Sequence, residues 1–185
     1  MIWWPTEIPI LTHGLITLRL ASEADIPKVY EACQDPLIPR FTTVPADYRM
    51  ADAEFFIREK GPTHFAQKKE LLFVITDGHI PDEEFCGVIS FHTINLGNHV
   101  AELGYWIATP ARGKGIGTTA AKMITEYGFV TMGFRRIEAL VDVANETSKM
   151  LLISAGYELE GIMRQKVTRA DGSQKDMALF GKVNQ

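Results

Sequence analysis

Apolar and polar residues partly alternate along Leu15-Ile16-Thr17-Leu18-Arg19-Leu20, which predicts a strand. The period then changes: Ser22 and Asp25 form a capping pattern, and Ile26, Val29, Tyr30 and Cys33 recur at helical spacing, so a helix is expected over residues 23–33. Prolines at 36, 39 and 45 predict loop, and Ala53, Phe56 and Ile57 mark a second helix over 50–60. Two extended runs, 70–76 and 85–94, are separated by Asp77-Gly78 and a polar turn with Pro81, the signature of an antiparallel hairpin. The turn Leu96-Gly97-Asn98-His99 leads into a strand over 100–107. A helix over 116–132 follows, with its stripe at Ile116, Ala120, Met123, Ile124 and Tyr127 and Gly133 as its cap. A strand over 136–143, a helix opened by Asn145 and closed by Gly156, and strands over 157–168 and 175–183 turning at Ala170-Asp171-Gly172 complete the order. That order predicts one mixed α+β domain over 1–185, with an N-terminal arm at 1–12.

Composition narrows the function classes. A chain of 185 residues with 46% hydrophobic and 23% charged residues can bury a continuous core without metal or disulfide staples. Net charge is -4 and the basic residues are scattered, so no nucleic-acid field is expected. Cys33 and Cys86 fit neither a disulfide framework nor a metal-ligand spacing, and no metal site is expected. The start, Met1-Ile2-Trp3-Trp4-Pro5, lacks the pattern of a secretory signal, and no apolar run approaches the roughly 20 residues of a membrane span. These readings predict a cytoplasmic protein without a membrane partner.

The candidate chemistry lies after the fourth predicted strand, in Arg112-Gly113-Lys114-Gly115-Ile116-Gly117-Thr118. Glycines let a backbone turn tightly and approach an anion, and the free N–H groups and dipole of a helix start favour negative charge. Arg112 and Lys114 add positive charge there. A pyrophosphate-bearing cofactor is the expected ligand; a glycine-rich helix start without a ligand is the alternative. Gly115-Ile116-Gly117-Thr118-Thr119-Ala120 also fits the G-x-G-x-x-A dinucleotide fingerprint, with Glu138 and Asp142 downstream, but no repeated βαβ units surround it.

Arg112, Gly115 and Gly117 fill the [Q/R]-x-x-G-x-[G/A] signature of GNAT acetyltransferases. Glu102-Leu103-Gly104-Tyr105-Trp106-Ile107-Ala108-Thr109-Pro110 resembles that family's fourth strand and its exit. Asn145-Glu146-Thr147-Ser148 with Ser154-Ala155-Gly156-Tyr157 is similar to the N-x-x-S…G-[FY] helix of the RimJ/RimL-type branch, as are Leu18-Arg19-Leu20…Asp25 and Asp171-Gly172…Asp176. The resemblance runs from His13 onward. It implies a mostly antiparallel sheet of six to seven strands flanked by four helices, with splayed fourth and fifth strands. It also implies an acetyl-CoA-dependent N-acetyltransferase acting on a primary amine by direct attack in a ternary complex. The amine would be a protein or peptide N-terminus or a small molecule. A non-catalytic acyl-CoA-binding regulatory module is the alternative, and a homodimer is possible.

The resemblance implies that the acetyl-CoA pyrophosphate rests on the backbone of Arg112, Gly113, Lys114, Gly115, Ile116, Gly117 and Thr118. The pantetheine arm would pair with the strand near Trp106 and Ile107 and bond Asn145, whose residue type also suits a plain helix cap. A backbone N–H near Trp106 would hold the oxyanion. Many relatives use a helix tyrosine as the acid, and its position here is Leu152, so Ser148, one turn earlier, takes that role. Glu102 is the first candidate base, with His92 or a water chain as alternatives. Ribosomal-protein acetylases of the branch carry another glutamate where this chain has Lys166-Val167. Residues 36–64 and the last hairpin would line the acceptor groove, with Phe41, Tyr48 and Trp106 as candidate walls. The Trp3-Trp4 arm could cover that groove, mediate a dimer or pack on the sheet.

Overall fold

The computed structural model describes residues 2–79, 83–169 and 172–184; the expected turns at Pro81 and Ala170-Asp171 lie outside the described residues. The strands are β1 (Leu11–His13), β2 (Ile16–Arg19), β3 (Leu71–Asp77), β4 (Glu84–Asn95), β5 (Val100–Ile107), β6 (Arg136–Asp142), β7 (Glu158–Thr168) and β8 (Gln174–Val183). They form one sheet in the order β1-β2-β3-β4-β5-β6-β8-β7. Every neighbouring pair is antiparallel except β5–β6, which is parallel.

The sheet is covered on both faces. Odd positions of β3 (Leu71, Phe73, Ile75), with Phe91, Leu103 and Ile137, pack under the helix α5 (Ile116–Tyr127) in the main core. Even positions Leu72 and Val74 meet Val88, Phe56 and Trp106 on the opposite face. On that second face lie α1 (Ile26–Ala32), α2 (Leu37–Phe41), α3 (Met50–Phe55) and α4 (Gly61–Ala66), with their own cluster around Val29, Ile38, Ala53 and Ile57. The last helix, α6 (Glu146–Ser154), places the fully buried Leu152 in the main core.

The α+β architecture agrees with expectation, and three local differences have physical causes. Among the described residues the sheet has eight strands, because Leu11–His13 folds back on β2 and gives the supposed arm a strand. Trp4 stacks near Phe65 at 5.6 Å and Trp3 N–H donates to Met132 O at 2.9 Å, so the arm packs on the main core. The proline-rich stretch contains α2, which starts directly after Pro36 and buries Ile38. The helix begun at Met50 does not stop at Lys60 but continues to Ala66. A π-helical turn over Phe56–Lys60, with Gly61 N–H on Phe56 O, widens the backbone just where Pro62 would otherwise break the helix.

Asp25 ties α1 to the sheet. Its fully buried carboxylate accepts from Arg19 at 2.8 and 3.0 Å, from Ser22 N–H at 2.7 Å and from Ser22 Oγ at 2.9 Å. Burial pushes this carboxyl up, but the Arg19 and Ser22 bonds together outweigh it and hold it below the usual range. A carboxyl depressed in the folded state stabilises above its unfolded pKa and loses that contribution as pH falls through the folded one. Asp25→Asn is therefore expected to cost about 2 kcal/mol at neutral pH, the scale of charged hydrogen bonds. In denaturant titrations the gap to wild type should close as pH falls well below about 4.

Candidate active site

The sheet opens between β5 and β6. Pairing between β5 and β6 covers Val100↔Arg136, Ala101↔Ile137 and Glu102↔Glu138, and then stops, although β5 runs on to Ile107 and β6 to Asp142. This is the expected splay between the fourth and fifth predicted strands. Ala108 N–H donates to Cys86 O at 2.8 Å, and strand alternation then turns the amides of Gly104 and Trp106 toward β4. The amides of Leu103, Tyr105 and Ile107 face the gap by the same rule. Of the two residues expected to pair a pantetheine arm, Ile107 thus presents its N–H on the open edge. Trp106 presents its backbone to β4 and its ring to Phe85, at 5.9 Å.

Beyond β5 the chain makes one 3₁₀ turn (Thr109–Ala111) and enters the glycine loop. Gly113 and Gly115 adopt φ of 74° and 78°, a left-handed backbone that exposes the following N–H groups in a row. Among the described residues, no N–H from Gly113 to Thr118 donates to another protein group. Gly117 has a different reason to be glycine. A Cβ there would lie 2.7 Å from Leu151 Cδ1 and 3.1 Å from Ile107 Cγ1, so α5 sits closest to β5 and α6 without one.

The two basic residues of the loop separate. Lys114 is exposed at the tip. Arg112 is already engaged within the protein: its Nε donates to Ile107 O at 2.9 Å and its Nη1 lies 2.6 Å from Asp35 Oδ2. Its own N–H goes to Thr109 O at 3.3 Å. Thr109 Oγ1 also donates to Asp35, at 2.7 Å. Burial works to raise the Asp35 carboxyl, but Leu37 N–H, Thr109 and Arg112 outweigh it and lower it. Arg112 therefore fastens the loop to the end of β5 and to the α1–α2 connection, and the free amides begin at Gly113.

Asn145 and Ser148 open α6. Asn145 Oδ1 accepts Ser148 N–H at 3.1 Å, which is the helix-cap arrangement, and leaves Nδ2 without a protein partner among the described residues. Ser148 Oγ lies 2.7 Å from Tyr105 Oη, whose hydroxyl also reaches Ser148 O at 3.3 Å. Burial pushes the Tyr105 phenol up to about 12, opposed by its bond to Ser148, so it stays protonated through the neutral range. Tyr105 is a residue that motif reading passed over. Its alternation with Leu103 and Ile107 on the α6 face was the available signal.

Glu102 lies on the other face, at the vertex of the gap. His92 on β4 and Glu138 on β6 are its cross-strand neighbours. Glu138 is occupied by Arg136, at 2.7 Å. Glu102 is half-buried and has no ion pair or side-chain hydrogen bond among the described residues. The gap thus separates a hydroxyl pair on one face from a carboxylate and an imidazole on the other. Of the expected acceptor walls, Trp106 borders this second face. Tyr48 packs within the α1–α3 cluster, where burial raises its phenol, and Phe41 lies under Arg40 at 5.0 Å and Lys175 at 5.9 Å. Lys175 Nζ also meets Asp142 Oδ2 at 3.0 Å and Arg40 O, which joins the last hairpin to α2.

Among the described residues no group of three or more His, Cys, Asp or Glu side chains could hold a metal, and no helix is long and apolar enough to cross a membrane. A family profile described as an acetyltransferase (GNAT) domain matches residues 16–158, and the chain belongs to that family of acyltransferases. Its relatives make the class more particular. A putative ribosomal N-acetyltransferase, YdaF of Bacillus subtilis, is 37% identical over 106 residues, 57% of each chain. The chain thus spans little more than half the length of the curated relatives it matches. The microcin C7 self-immunity acetyltransferase MccE, solved in complex with acetyl-CoA and AMP, superposes with a TM-score of 0.81 at 27% identity over 93% of this chain and 94% of that one. The RimL acetyltransferase of ribosomal L7/L12, solved with coenzyme A, gives a TM-score of 0.84 at 19% identity over 95% and 98%, a likeness of fold.

Proposed function

We propose that this chain moves the acetyl group of acetyl-CoA to a primary amine, by direct attack on the thioester with both substrates bound. The observation that carries the reading is the row of free amides from Gly113 to Thr118 placed beside the open edge of β5. An anionic pyrophosphate suits the first, and an extended pantetheine amide arm suits the second, as an added strand would. The acetyl group would then lie in the gap, with its carbonyl oxygen within reach of a β5 amide that faces the opening.

The two faces divide the chemistry. Ser148, backed by Tyr105, protonates the departing thiolate, and Asn145 Nδ2 bonds the pantetheine arm. The Glu102–His92 pair attracts the cationic amine and removes its proton, which a lysine-type amine with a pKa near about 10.4 needs at neutral pH. The acceptor is a peptide or protein N-terminus or a small-molecule amine. Resemblance to YdaF and to the microcin immunity enzyme supports this range.

The test is release of free CoA from acetyl-CoA over a panel of short peptides, polyamines and aminoglycosides. Turnover with at least one class, and none without an amine, is expected. Tight acetyl-CoA binding with no CoA released for any amine would leave a regulatory acyl-CoA-binding module in place of an enzyme.

A further inference from the structure

We propose that His92 is the base that receives the proton of the acceptor amine and that the neighbouring Thr93 is the residue that positions it. The proposal rests on the acetyl-transfer reading above but is carried by features of its own.

Thr93 has a φ of 49°, in the left-handed region that a β-branched residue rarely enters. The β4–β5 register breaks between His92 and Asn95, so this conformation belongs to a β-bulge. In a regular strand consecutive side chains point to opposite faces. The bulge instead brings Thr93 Oγ1 to 2.9 Å from His92 Nδ1. The other ring nitrogen rests over a notch: a Cβ on Gly104 would lie 2.5 Å from His92 Nε2. Gly104 is two residues past the last β5–β6 pair, at the edge of the gap. A strained residue, a bond to one nitrogen and a missing side chain under the other together hold the imidazole in one pose. Strain of this kind persists only where the surroundings enforce it.

The proposal requires that Nδ1–H donate to Thr93 Oγ1, the tautomer that leaves Nε2 with its lone pair over β5. The ammonium first releases one proton to solvent; as the neutral amine nitrogen then forms its bond to the acetyl carbonyl carbon, its second proton passes to Nε2. The C–S bond then breaks, the thiolate takes a proton from Ser148 Oγ, and solvent carries the imidazolium proton back to the serine. Glu102, in register across from His92, faces the imidazolium and holds both it and the incoming ammonium by charge. The other carboxylates nearby are already engaged. Glu70, just ahead of β3 on the far side of His92, accepts from Ser90 at 2.9 Å and meets His64 at 3.0 Å and Lys60 at 3.9 Å. Glu138 is held by Arg136, and Lys68 and Lys69 border the open surface cavity beside Thr93.

Three measurements test this. In steady-state kinetics with an accepted amine, His92→Gln should lower kcat by about 10²- to 10³-fold. It should also erase the acidic limb of the pH profile while leaving acetyl-CoA affinity within about twofold, since His92 lies off the cofactor face. Thr93→Val, which keeps the shape and removes the hydroxyl, should lower kcat about tenfold. Thr93→Gly should melt at a higher temperature, having lost the strain, and still lose activity. A merely structural Thr93 would not separate the two in this way. A His92→Gln enzyme with wild-type kcat and acidic limb overturns the proposal and leaves Glu102 as the base. So does a Thr93→Gly enzyme of unchanged kcat, for the positioning role. Independently of turnover, nitrogen-15 NMR of the neutral imidazole should find the Nδ1–H tautomer in the wild type and its loss in Thr93→Val. An Nε2–H tautomer in the wild type overturns the proposal. Absence of any turnover in the wild type is a failure of the acetyl-transfer reading, and the tautomer still decides this one.

Discussion

Replacing Gly117 by leucine is expected to weaken acetyl-CoA binding by at least about 100-fold and to destabilise the fold by about 1–3 kcal/mol, the usual range for overpacking a tight contact. A Cβ at this position already lies 2.7 Å from Leu151 Cδ1 and 3.1–3.2 Å from the Ile107 side chain. Neither neighbour can withdraw easily, because Leu151 packs on the main core from α6 and Ile107 ends β5. The start of α5 must therefore move off β5, and the row of amides moves with it. Gly115→Ala is the informative control. Nothing lies within 4 Å of a Cβ there, so its only penalty is the left-handed φ of 78°, about 1–2 kcal/mol. Calorimetric titration with acetyl-CoA and thermal melts would separate the two. Wild-type affinity in Gly117→Leu would sink the placement of the pyrophosphate on this loop.

The second large effect is expected at Ser148. Ser148→Ala should reduce kcat by about 10²-fold, within the range of general-acid contributions, with acetyl-CoA affinity changed by less than about twofold. Tyr105→Phe should give a smaller loss, because it removes the hydroxyl behind the serine and not the serine itself. The double variant should be little worse than Ser148→Ala, since the two hydroxyls act as one unit. With its phenol pushed up to about 12, Tyr105 stays protonated below that pH and adds no alkaline limb in the neutral range. An unchanged rate in Ser148→Ala would remove the serine from the chemistry. Strict additivity would break its link to Tyr105.

Much of the fold was legible because each long element repeats its period several times. The helix stripe from Ile116 to Ile124 is one case, and β5 and β6 are others. What escaped was short or unusual. Three residues at Leu11–His13 carry no period, and their pairing with β2 is visible only in three dimensions. The two prolines around α2 argue for loop, yet burial of Ile38 outweighs them over five residues. Pro62 marks an end that the π turn defers.

The site divides along the same line. The glycine loop was readable as a candidate because the role proposed for it resides in consecutive backbone groups. Tyr105 and Ser148 are 43 residues apart, and Asp35 and Arg112 are further apart still, so neither bond has a sequence signal. Residue type alone does not show that Arg112 has a carboxylate partner in Asp35. The bulge at Thr93 depends on a backbone angle that no composition records.

The gap between β5 and β6 also bears on traffic. The gap has the glycine loop and α6 on one side of it and Glu102 and His92 on the other. On the proposed reading a cofactor would arrive from one side and an amine from the other, so neither would have to leave before its partner could enter. Order of arrival would then be a matter of relative affinity and concentration rather than access. The two products, likewise, would depart through separate doors.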